Sequence, residues 1–116
     1  MSTDARMLDI ARQHFDLMRG RSLEIPEWQV DGKPVTVHFD PMTLHQRHQL
    51  QQRARGNEAR GVALAVIMFA KDASGARMFE DDAETLAALE TQVDPSVLSR
   101  IATEMTRSTS RADLGN

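Results

Sequence analysis

Leu23-Glu-Ile-Pro-Glu-Trp-Gln-Val-Asp-Gly-Lys-Pro-Val-Thr-Val-His-Phe39 is the stretch on which the fold class turns. Val35, Val37 and Phe39 alternate strictly with Pro34, Thr36 and His38, which is the period of a half-buried strand. Leu23, Ile25, Trp28 and Val30 make a second β-rich run before Asp31-Gly32. An Asp-Gly pair between two such runs is a strong hairpin signal, because both residues tolerate the positive φ that a tight turn demands. Pro26 and Pro34 lack a ladder donor, so the strands are expected to be short or to lie at an edge.

On the N-terminal side, Met7, Leu8, Ala11, Phe15 and Met18 recur at helical spacing, with Arg6, Asp9, Arg12, Gln13 and Asp16 opposite. This predicts an amphipathic helix that starts at an Asp4 cap, runs to about Met18 and ends at Gly20. Its apolar face packs either on the core or on a partner. On the C-terminal side, Asp40-Pro41 or a Thr43/Gln46 capping box opens a helix reaching Arg55. That helix is rich in His, Gln and Arg, with only Leu44, Leu50 and Ala54 as apolar contacts, so it is a surface element with a thin seam. The next segment is its opposite. From Val62 to Ala70 every residue is apolar, a run short enough to be a strand. Its Ala content and the Glu58–Gly61 lead-in favour a helix, and a helix apolar all round belongs in the middle of a domain or an oligomer. Asp72 to Gly75 reads as a turn and Ala76 to Phe79 as a short extended piece. Asp81 with Glu84 caps a helix over about 82–91. Asp94-Pro95 starts the last helix, striped by Val97, Leu98, Ile101, Ala102 and Met105, and a frayed tail follows from about 108. The expectation is one small α+β domain, mostly helical, with about five helices and one hairpin.

Composition narrows the chemistry. The chain has 116 residues, 41% apolar and 27% charged, with a formal charge of -3 and no cysteine. Thiol catalysis, disulfides and zinc-thiolate sites are excluded, and a broad polyanion footprint is disfavoured. The longest apolar run is about half the length of a membrane-spanning helix. The N-terminus lacks the basic-then-apolar order of a secretory signal, so a soluble cytoplasmic domain is expected. No phosphate-binding glycine fingerprint, nucleophile elbow or triad spacing is present. His45 and His48 share a helix face but lack a third ligand, and read as solvated histidines. Glu80, Asp81, Asp82 and Glu84 lack the order of a calcium loop and read as helix N-terminal carboxylates. The sequence therefore points to a non-enzyme without cofactor or metal.

Interaction remains. The basic residues are 12 Arg against Lys33 and Lys71, and Arg suits interfaces through planar bidentate contacts and stacking. A DNA-binding regulator is the rival reading: Arg47, Arg53, Arg55 and Arg60 would meet phosphates and the Gln side chains base edges. The net acidity and the absence of a second basic element speak against it. The candidate protein-interaction residues are Met7, Phe15 and Met18 on the first helix, Trp28 on the hairpin, and Arg47 and Arg53 on the polar helix.

An ordered set of blocks resembles the small tail assembly chaperones of long-tailed bacteriophages and prophages. An amphipathic helix ends in a charged break. Leu23-Glu-Ile-Pro-Glu-Trp28 is similar to that family's Val-Pro-Glu-Trp strand, and Val35-Thr-Val-His-Phe39 follows. Asp40-Pro-Met-Thr-Leu44 resembles the family's turn into a polar helix. Ala73-Ser-Gly-Ala-Arg-Met-Phe79 and an acidic helix start then lead to the Val97–Met105 helix. The resemblance implies a non-catalytic protein of the host bacterial cytoplasm, absent from the mature virion. It implies binding to the tape-measure protein until tail-tube protein polymerises around it. Self-association is a further expectation, because the all-apolar helix is large for so small a domain.

Overall fold

A computed structural model describes residues 3–107, with side chains from Ala5 onward; the tail expected to fray from about 108 lies outside the described residues. The elements are α1 (Thr3–Leu17), β1 (Arg21–Val30), β2 (Lys33–Phe39), α2 (Leu44–Ala54), α3 (Glu58–Phe69), α4 (Ala83–Gln92) and α5 (Pro95–Thr106). This is the mostly helical α+β domain with one antiparallel hairpin that the sequence predicts.

The hairpin closes at Asp31 (φ 52°) and Gly32 (φ 77°), the paired positive φ values of a type I′ turn. Its ladder pairs Arg21 with Phe39, Leu23 with Val37 and Ile25 with Val35, then loses register before Gln29. Pro26 sits in that irregular stretch, where its missing N–H breaks no regular ladder bond. β1 is not short, at 10 residues, but both strands are edges of a two-stranded sheet. The inward positions Ile25, Val37 and Phe39 are buried. Beyond β2, the His38 N–H donates to the Lys71 carbonyl at 2.8 Å and the Lys71 N–H returns the bond at 2.9 Å. The chain leaving α3 is thereby sewn to the sheet edge.

α3 is the central element. Ala63, Leu64, Ala65, Val66 and Ile67 are all buried, and α2, α4 and α5 each pack against this helix. Leu89, Val97, Leu98, Ile101 and Met105 join Ile25, Val37 and Phe39 in one core cluster with it. A helix apolar all round finds apolar neighbours all round, as its composition requires.

The caps decide two expectations. Of the two possible starts for α2, the Thr43/Gln46 box is realised: Thr43 Oγ1 accepts from Gln46 N–H and Gln46 Oε1 accepts from Thr43 N–H, each at 3.0 Å. The start of α4 corrects the reading of Asp81. Asp82 is the cap, accepting from Thr85 N–H at 2.7 Å, while Asp81 turns away to bind Arg53. An aspartate meeting a guanidinium 28 residues away is invisible to a local capping pattern. At α1, Asp4 lies inside the helix rather than before it. α5 begins as read, with Asp94 capping Ser96 N–H and Pro95 in the first turn.

One long-range pair fastens the hairpin to the last helix. Arg100 Nη1 and Nη2 donate to Glu27 Oε1 and Oε2 at 2.8 and 2.6 Å, a bidentate fork. These hydrogen bonds lower the Glu27 carboxyl from 4.5 to about 2. A carboxyl depressed on folding adds stability that is complete above its unfolded pKa and vanishes as pH falls through its folded one. Stability is therefore expected to decline between pH 4.5 and about 2, in part through Glu27. Urea titrations at pH 6 and pH 3 check this: Glu27→Gln is expected to be less stable than the parent at pH 6 and nearer to it at pH 3. Because the pair is solvent-exposed, the difference should shrink in added salt.

Candidate protein-interaction surface

α1 leaves the body of the molecule instead of packing along it. Gly20, at φ 73°, turns the chain out of the helix, and its N–H donates to Asp40 Oδ1 at 2.9 Å. Arg19 closes the joint, bonding Asp16 Oδ1 at 3.0 Å and lying over the Phe15 ring at 5.4 Å. No described side chain of α1 is buried, and only Phe15 on the helix and Met18 just after it are half-buried. The molecule measures 54 × 35 × 23 Å, with a radius of gyration of 16.0 Å, against about 13 Å for a compact chain of this length.

The result is an apolar helix face in solvent. Met7, Leu8, Ile10 and Leu17 are between 47% and 68% exposed. At about 100° per residue, Ile10 and Leu17 fall to one side of Met7 while Phe15 and Leu8 fall to the other. The apolar arc therefore covers about half the circumference, wider than the single stripe through Met7, Phe15 and Met18 suggests. Ile10 and Leu17 were legible in the sequence as apolar positions, and the full arc joins them to that stripe. Full burial of one such side chain is worth about 1.5–3 kcal/mol, so four at half exposure leave a large favourable term unrealised in the free chain.

The other sequence candidates separate. Trp28 is half-buried on β1, its ring edge-to-face with Phe79 at 6.2 Å, so it is engaged within the molecule. Arg53 is engaged too: Nη2 and Nη1 donate to Asp81 Oδ1 and Oδ2 at 2.8 and 3.1 Å. That bonding holds the Asp81 carboxyl below the usual range and raises the Arg53 guanidinium above its own. Arg47 is exposed on α2 and makes no side-chain bond or ion pair among the described residues. Leu44, expected in the apolar seam, is instead 84% exposed. The seam of α2 is Leu50 and Ala54, because Leu44 is the first helical residue and stands above the turn that Thr43 caps.

Three depressions adjoin one another around Phe15. One lies against α1 at Leu8 and Arg12, one reaches Asp40, Phe69 and Lys71, and the third, of about 510 Å³, is walled by Met42, Leu44 and Arg47. A separate cleft of about 540 Å³ runs between α2, α3 and α5, floored by small side chains at Gly61, Ala65 and Ala102. Among the described residues lining these regions, no Ser or Thr hydroxyl is hydrogen-bonded to a His, Asp or Glu side chain; Thr43 and Thr106 bond backbone groups instead. Among the described residues, no group of three His, Cys, Asp or Glu side chains converges as a metal site. No described helix is long and apolar enough to cross a membrane. The chemistry on offer is apolar contact bordered by cations. No protein-family model, curated protein or solved structure matches the chain.

Proposed function

We propose that this chain is a non-catalytic tail assembly chaperone, acting in the bacterial cytoplasm by covering the tape-measure protein while tail-tube protein polymerises. The observation that carries the reading is the projecting apolar face of α1, with Met7, Leu8, Ile10 and Leu17 in solvent. A tape-measure protein is long and largely helical, and its exposed apolar stripes aggregate unless they are covered. An amphipathic helix held away from its own core is suited to that task, since it can pair with a partner helix without disturbing the fold behind it. Many copies along one long partner need only modest affinity each.

The DNA-binding alternative gains little from the geometry. α2 and α3 are joined by a short turn, but the second helix of such a motif must reach a groove. Here the second helix is α3, whose central residues are buried. On α2 itself, Arg53 is already held by Asp81.

Co-expression with the neighbouring tape-measure gene tests the proposal. The expected result is a soluble complex that co-purifies, where the tape-measure protein alone is insoluble. Unchanged insolubility, or a duplex DNA shift at low salt that fades steeply as salt rises, would overturn it.

A further inference from the structure

We propose that the valley between α1 and the start of α2 seats an amphipathic helix whose apolar stripe is flanked by carboxylates. The identity of that helix as a tape-measure segment rests on the chaperone reading above; the chemistry of the seat rests on the residues that line it.

The apolar floor comes from two elements. Phe15 rises from α1, Met42 and Leu44 face it across the valley with Phe69 at its base, and Leu8 extends the apolar surface along α1 from Phe15. α1 has 15 residues and so is about 22 Å long, enough to run beside about four turns of a partner. Leu44 is the most informative wall. A leucine standing almost fully in water at a helix start serves no packing in the free chain.

The charges choose the partner. The described acids beside the valley lie near two cations: Asp9 faces Arg12 at 3.5 Å, while Asp16 and Asp40 share Arg19, at 3.0 and 3.9 Å. The described cations left without an ion pair there are Arg47 and Lys71. α2 contributes no acid at all, its residues being Leu-His-Gln-Arg-His-Gln-Leu-Gln-Gln-Arg-Ala. Although the chain as a whole is acidic, the four cations at this seat (Arg12, Arg19, Arg47 and Lys71) outnumber its three acids by one, so its net charge is positive. An incoming helix with Glu or Asp beside its apolar stripe completes those cations, and one with Lys or Arg there meets repulsion.

The test uses the full chain and two synthetic amphipathic peptides with the same leucine stripe, one flanked by Glu and its twin by Lys. Fluorescence anisotropy is expected to show tighter binding of the Glu peptide, by roughly fivefold at low salt, for two surface ion pairs. The preference should narrow as salt rises. Arg47→Glu with Lys71→Glu should reverse it. Leu44→Ser should weaken both peptides without lowering the melting temperature, since that side chain is exposed. Amide shift changes should gather at Leu8, Phe15 and Leu44. Equal affinity for the two peptides overturns the proposal, as do shifts that gather instead at the α2–α3–α5 cleft, or a second copy found in the valley by sedimentation. A failed co-expression with a peptide preference intact would count against the chaperone reading alone.

Discussion

Ile67→Ala is expected to destabilise the domain by about 2–5 kcal/mol, through lost transfer energy and the cavity left behind. Ile67 is fully buried on α3, the helix against which α2, α4 and α5 pack, and it belongs to the same cluster as the buried hairpin residues. With three helices around it, the site has little freedom to collapse into the vacated volume. A domain of this size has total stability of about 5–15 kcal/mol, so the variant should lose a large share of it. Urea unfolding checks the result: the midpoint should fall with an unchanged slope. Leu44→Ala, at an exposed position, should move the midpoint little. Equal effects at the two positions would contradict α3 as the centre of the core.

Met7→Glu together with Leu17→Glu should do the reverse. Both side chains are in solvent, so the melting temperature is expected to stay within a few degrees of the parent. Binding to a partner that covers α1 should collapse. Each substitution removes an apolar contact worth about 1.5–3 kcal/mol and leaves a charge to be desolvated, so the affinity loss should exceed about 100-fold by the usual conversion. Pull-down of the proposed partner, a tape-measure protein, with the double variant, beside a melting curve, measures both. Retained capture would remove the Met7 and Leu17 side of α1 from the interface and leave only its Leu8 and Phe15 side. Lost capture with a lowered melting temperature would mean that α1 supports the fold.

The two variants also mark where the sequence was readable. The hairpin and its turn were legible because Asp31-Gly32 and the Val35–Phe39 alternation are local signals. So was the burial of α3, since a helix without a polar face has no place in water. What escaped was set by residues far apart in the chain. Arg47 and Arg53 looked alike as cations on one helix, and only Asp81, 28 positions further on, distinguishes Arg53. Leu44 counted as seam because it is apolar, whereas its place at the helix start leaves it outside. The first helix could pack on the core or on a partner by pattern alone. The Gly20–Asp40 bond and the course of the chain beyond it leave its apolar face open.

That joint at Gly20 divides the molecule into two units of stability. An isolated helix of 12–15 residues is marginal in water, and α1 has 15 residues with no described side chain buried. Its amide hydrogens should therefore exchange with solvent by local opening, many orders of magnitude faster than those of α3, which open only when the domain unfolds. A melting curve would follow the second unit and pass over the first. Whatever binds α1 would register as slowed exchange in those first turns, because contact along the helix suppresses its local opening.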